Sequence, residues 1–172
     1  MAVRRIIQLG DPLLRSVSAP VPGGTGLLQA QATLDDLRDT LHDFQRRHGF
    51  GRGISAVQIG SPQRVIYIEF DGAVYRLVNP EWEWLSADTF RLWDDCFSFP
   101  DLLVWLERSV SVRLRYSDPD GRACLLEAEG ALAELLQHEM DHLDGILAVD
   151  RALPGNSLCT RAEWLRQRTA ME

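Results

Sequence analysis

The chain is short of positive charge, of cysteine and of long apolar runs, and each shortage excludes something. Lysine and arginine together number 18 against 25 aspartates and glutamates, for a formal net charge of −7 and a pI near 5.1. That balance gives no global electrostatic support to a role in coating nucleic acid. Acids and bases are also interspersed, as on an ordinary solvated surface. Cysteine occurs at three widely separated positions, Cys96, Cys124 and Cys159, and an odd count suits a reducing compartment better than a disulfide framework. The opening "MAVRRIIQLGDPLLR" has an arginine pair, but its apolar run is too short for the core of a signal peptide. No later run approaches the roughly 20 residues of a membrane span. Internal repeats and low-complexity tracts are absent too. A cytoplasmic protein with no membrane association and no direct nucleic-acid role is expected. With 45% of its 172 residues hydrophobic, the chain 1–172 reads as one domain able to bury its own core.

Local patterns give an outline of the fold. Leu34, Leu37, Leu41 and Phe44 form one helical stripe, with Thr33 and Asp36 resembling a capping box and Gly49 as the stop. "VPGGTG" (21–26) reads as a flexible loop. "RVIYIEF" and "AVYRLVNP" flank Asp71-Gly72, a strong hairpin signal. "SVSVRLRYSDPDGRACLLEAE" gives an alternating strand, a Pro-Asp-Gly turn and a further strand. After Gly130, "ALAELLQHEMDHL" is helical in composition and ends at Gly145. A last helix is expected from Thr160, with Glu163 completing its capping box. The expected class is α+β, antiparallel strands around a buried helix.

"LLQHEMDHLDG" carries the chemistry. Residues advance about 100° around a helix, so His138 and His142 lie on one face and can hold one metal ion, with Glu139 beside it. A hydrolytic site also needs a third protein ligand and an open position. The extended zinc-peptidase pattern wants a histidine three residues past Gly145, where Ala148 stands. Another class takes a glutamate from a later helix, where Glu163 is available but has its capping use. A third choice is Cys96 in "LWDDCFSFP" (92–100), since a thiolate with two imidazoles suits zinc or ferrous iron. Cys124 and Cys159 read as ordinary free cysteines.

At this point the sequence resembles the peptide deformylase family of metal hydrolases, which remove formyl groups from new N-termini. "IIQLGDPLLRSVSAPV" is similar to the family's N-terminal arm, and "GRGISAVQIG" (51–60) to its first motif. "DDCFS" stands for Glu-Gly-Cys-Leu-Ser, and "QHEMDHLDG" is the third motif. The resemblance implies Cys96, His138 and His142 as metal ligands and Glu139 as general acid and base. It implies Gln58 and the backbone N–H of Phe97 as oxyanion donors. It further implies one divalent metal ion, Fe2+ first and Zn2+, Ni2+ or Co2+ as alternatives. The substrate would be an N-formyl peptide or nascent-chain N-terminus. A transient ribosome contact and a monomer or weak dimer complete the expectation, with the tail "TRAEWLRQRTAME" as a docking helix or a solvated amphipathic end.

Several residues depart from the family pattern. Arg52 stands where the groove is usually apolar, beside Gly53 and Ile54 as substrate-binding positions. Ser55 replaces the first of two alanines, a small change. Asp94-Asp95 replaces Glu-Gly, which makes Asp95 a poorer fit wherever the glycine's backbone freedom is needed. Phe97 replaces a leucine and would narrow or reshape the groove. On the helix, Ala131, Glu134 and Leu135 are expected to form a pocket wall that the family keeps mostly apolar. Either Arg52 and Glu134 pair at the groove rim and formyl-methionine still binds, or the pocket is polarised toward another N-formyl substrate. A contact between the two is the economical arrangement if both face inward. A zinc peptidase using Glu163 and a non-catalytic metal-binding homologue are the competing classes.

Overall fold

A computed structural model describes residues 2–169. The first long element, α1 (Thr25–His48), is capped at Gly24, more than two turns upstream of the expected Thr33 start. Its buried stripe includes Gly26 and Ala30 as well as Leu34, Leu37, Leu41 and Phe44, so small residues extend the face that the leucines announce. Thr33 instead bonds Gln63 Oε1 at 2.6 Å. "VPGGTG" is therefore only partly loop. Asn79 ties Val21 at its N–H (2.7 Å) and its carbonyl (2.9 Å), and Thr25 already belongs to the helix. Gly49 ends α1 in the left-handed region, as expected.

Next come β1 (Gly53–Ser55), β2 (Val65–Phe70) and β3 (Ala73–Leu85). Asp71 and Gly72 make the turn between β2 and β3 with φ of 49° and 79°, the conformation that the Asp-Gly pair favours. β3 runs past Pro80, where the hairpin was expected to end. The register shifts between Val78 and Glu81, so the proline sits in an irregularity where the ladder needs no donor. β4 (Thr89–Asp95) and β5 (Leu102–Ser109) form a hairpin the sequence reading did not single out. β6 (Ser111–Ser117) and β7 (Ala123–Glu129) are the expected pair around the Pro-Asp-Gly turn. After α2 (Ala131–Leu143), β8 (Leu158–Thr160) leads into α3 (Arg161–Thr169). Thr160 Oγ1 accepts the Glu163 N–H at 3.3 Å, half of the expected capping box. The last residues of the tail, 170–172, lie outside the described residues.

The strands make two antiparallel sheets, ordered β1-β2-β3-β6-β7 and β4-β5-β8. Helix α2 is held between them. Ala133, Leu136, Met140 and Leu143 pack on Ile66, Ile68, Leu77 and Leu114 of the larger sheet. On its other side, Gln137 exchanges two 2.9 Å hydrogen bonds with the backbone of Ser109. Every residue from Ala133 to Leu143 is buried, which is why a helix rich in polar residues is also the best-anchored element. The fold is α+β, as the patterning implied. All eighteen basic residues of the chain are arginines, so every Lys/Arg-type ion pair is built on a guanidinium. Among the described residues, no helix is long and apolar enough to cross a membrane.

Candidate metal centre and active-site cavity

One turn of α2 separates His138 from His142, and the chain leaving β4 brings Cys96 against both. Cys96 Sγ lies 3.2 Å from His142 Nε2, which lies 3.2 Å from His138 Nε2, and all three residues are buried. Three possible ligand atoms converge here, and His142 Nδ1 is buried with no hydrogen-bond partner among the described residues. One thiolate and two imidazoles suit a borderline-soft divalent ion, so the residues present fit the implied metal. Two further donors turn toward the sulfur. The Ser98 N–H approaches Sγ at 3.4 Å and Gln58 Nε2 at 3.6 Å.

A buried chain of charges fixes His138. Asp94 accepts from His138 Nδ1 at 2.9–3.0 Å and from Arg108 Nη2 at 3.0 Å. Arg108 Nη1 reaches Asp141 at 2.5 Å, and Arg151 clasps the same carboxylate from the surface. Burial alone would raise the Asp94 carboxyl pKa and lower that of His138. Their mutual attraction wins, holding Asp94 at about 2 and His138 well above an ordinary imidazole. His142, buried and facing the His138 charge, goes well below. The orientation of His138 is thereby settled, with Nδ1 on the carboxylate and Nε2 toward the trio.

Glu139 is buried beside the trio, and burial pushes its pKa up to about 7. Ser55 donates to Oε2 at 2.5 Å. A Cβ on Gly53 would stand 2.8 Å from Oε1 and 3.1 Å from Leu135, so the glycine leaves the room this carboxylate occupies. Gln58 sits in the tight turn after β1. Its Oε1 accepts the Ser55 N–H at 2.9 Å, which turns Nε2 toward Cys96 and Ser98.

These groups share one cavity of about 440 Å³ whose walls include Arg52, Gly53, Gln58, Cys96, Phe97, Glu134, Leu135, His138 and Glu139. Arg52 Nη2 and Glu134 Oε2 meet at 2.8 Å, the contact the sequence made economical. Of the expected wall residues Ala131 lies elsewhere, and the side chain of Ile54, expected as a substrate-binding position, is not part of the cavity lining. Ile54 is fully buried in the core under α1, and Ala131 is exposed at the start of α2, too far along the helix to face inward. Phe97 stacks on Phe44 at 3.9 Å, so part of its bulk is taken up by the core behind the wall. Asp95 shows no left-handed strain. It ends β4 in extended conformation and pairs with Arg161 at 2.7 Å. Glu163 is on α3, bonded to Arg166 and Gln167, outside the cluster of possible ligands formed by Cys96, His138 and His142.

Asp94, Arg108 and Ser55 were not among the expected site residues. Strand alternation could have found Asp94, because residues two apart share a face and Cys96 is two away. For Arg108 the sequence held no signal.

The polypeptide deformylase family model matches residues 3–157. The chain is 38% identical over 157 residues to a peptide deformylase of Bartonella tribocorum, covering 87% of this chain and 84% of that one. Its structure is similar to the crystal structure of peptide deformylase from Thermotoga maritima, with TM-score 0.82, 30% identity, and 90% and 100% of the two chains covered. It is also similar to the Met-Ala-Ser-bound class I type b peptide deformylase of Acinetobacter baumannii, with TM-score 0.75, 28% identity, and 87% and 98% covered.

Proposed function

Since this chain belongs to the polypeptide deformylase family and is therefore a metal-dependent hydrolase that releases formate from N-formyl peptides, we propose that Cys96, His138, His142, Glu139 and Gln58 carry out that hydrolysis. The observation that carries the assignment is the convergence of the Cys96, His138 and His142 ligand atoms beside a buried Glu139. A divalent ion held by the trio supplies Lewis acidity toward water and the formyl oxygen. Ferrous iron is the ion we propose, with Zn2+, Ni2+ and Co2+ as other occupants of the same donor set.

The chain's own groups do the rest. Glu139 takes a proton from the attacking water and returns it to the departing nitrogen, so that water and formamide become formate and a free amine. A carboxyl shifted up by burial is suited to both halves of that task. Gln58 Nε2 donates to the oxygen on which negative charge develops. The Phe97 N–H, which has no hydrogen-bond partner among the described residues, serves as the second donor. Ser55 keeps one carboxylate oxygen of Glu139 occupied and the other toward the cavity. Asp94, itself held by Arg108, takes up the Nδ1 side of His138, so that a bound ion would have only the Nε2 proton to displace.

The same reading makes the chain a single cytoplasmic domain, monomer or weak dimer, that meets nascent N-termini during a transient ribosome contact. Helix α3, which buries no side chain and carries Arg166 and Arg168, is a surface free for such a contact. A non-catalytic homologue would have no reason to keep a hydrogen-bonded general base next to a complete ligand trio. The test is formate release from formyl-Met-Ala-Ser by anaerobically prepared, iron-loaded protein, with Glu139→Ala as the blank. Release that depends on Glu139 is expected. Equal release from the blank, or none from any formyl peptide at full metal occupancy, overturns the assignment.

A further inference from the structure

The cavity wall is charged next to the position where a substrate's first side chain must lie. A formyl carbon within reach of Glu139 and Gln58 leaves its nitrogen substituent one bond away. The side chain there rests on the walls adjoining Glu139. On α2, one turn before His138, that wall is Glu134 and Leu135, and Arg52 faces them from the approach to β1. Glu134 is 5% exposed, and its carboxylate has Arg52 as its one partner among the described residues. Arg52 is 42% exposed, so the cation of the pair lies toward solvent while the carboxylate lines the cavity.

The charge count of the wall is lopsided. Asp94, Asp95, Glu134 and Glu139 line it against Arg52 and His138. Asp94 and Asp95 have Arg108 and Arg161 behind them, 2% and 20% exposed, whereas the one cation beside Glu134, Arg52, is the most exposed of the three. Burial, then the nearby Asp94 charge, pushes the Glu134 carboxyl pKa up in spite of Arg52. An apolar first side chain would strip the remaining water from this carboxylate and return no hydrogen bond. A cationic one would return a charge-assisted bond where the site lacks it.

We propose that this cavity selects N-formyl peptides whose first residue is basic, the substrate cation sharing Glu134 with Arg52. This rests on the deformylase reading above, and two independent measurements separate their failures. The first is kcat and KM of the iron-loaded protein, Glu134→Ile and Glu134→Gln on formyl-Lys-Ala-Ser, formyl-Met-Ala-Ser and formyl-Glu-Ala-Ser. The second is Kd for the same peptides on metal-loaded Glu139→Gln protein, which binds without turnover. We expect lysine over methionine by about tenfold to a hundredfold, carried in KM and repeated in Kd, with the glutamate peptide last. Glu134→Ile should invert the lysine-to-methionine order, and Glu134→Gln, which keeps the side chain's shape, should shrink it. Methionine preferred by the unmodified cavity, or a ratio unmoved in both Glu134 variants, overturns the basic pocket. No formate from any peptide while Kd still ranks lysine first would overturn the deformylase reading and leave the pocket standing. Equal Kd values would remove the pocket whatever the rates.

Discussion

At the inner end of the cavity, His138 rests on Asp94, Asp94 on Arg108, and Arg108 on Asp141, each link buried. At the mouth, Glu134 rests on Arg52 alone, and Arg52 is half in solvent. The inner chain has several partners per charge and one arrangement that satisfies them, so it fixes ligand geometry. The outer pair can open without leaving the inner chain unsatisfied, so it can adapt to what enters. The same helix supplies both, with His138 and Glu134 one turn apart. Catalytic geometry and substrate choice can therefore change separately in this fold.

The largest effect should come from Glu139→Gln. Formate release is expected to fall about a hundredfold to ten-thousandfold, with metal content by elemental analysis unchanged. Glu163→Gln should leave both as they were, and a loss of activity there would break the division drawn above. Next in size, Arg108→Met leaves Asp94 and Asp141 short of their buried cation. It should cost about 3–5 kcal/mol of stability in denaturant unfolding, whereas Arg52→Met, after which Glu134 can take up a proton, should cost less, about 1–3 kcal/mol. Equal costs would mean that the mouth is as rigid as the interior.

Acid titration of the metal-free protein sharpens the contrast, because the two regions contribute with opposite sign. Asp94 is held at about 2, below its unfolded value. Its stabilisation, about 2 kcal/mol, is present above pH ~4 and lost as pH falls toward 2. Glu134 is raised, so its contribution declines as pH rises from its unfolded value through its folded one. Asp94→Asn should flatten the acid limb of the stability profile, and Glu134→Gln should leave that limb and improve the neutral side. The smallest effect is expected for Arg161→Ala. It removes the partly exposed pair with Asp95 and should cost less than about 1 kcal/mol by thermal unfolding.

How much of this was legible depended on how local each signal was. His138, Glu139 and His142 lie within a single helical turn and could be placed from spacing alone. Cys96 could be offered as a ligand but chosen over Glu163 only through family likeness, because 42 residues separate it from His138. The β6–β7 and β2–β3 hairpins announced themselves through turn chemistry. The β4–β5 hairpin did not, since the loop between these strands holds the Cys96 segment and no Asn-Gly or Asp-Gly pair. Ser55 looked like a minor replacement for alanine, and its hydroxyl acquires a role only when α2 lies across β1. Arg108 reads in sequence as one charge in an alternating run. Only the docking of α2 between two sheets makes it the cation of a buried network.

The exclusive use of arginine carries a consequence for alkaline conditions. Lysine ammonium groups begin to discharge near pH 10, while guanidinium groups hold their proton beyond 12. The ion pairs that tie α2 to its sheets therefore keep their positive partners through a range in which a lysine-built version would be losing them.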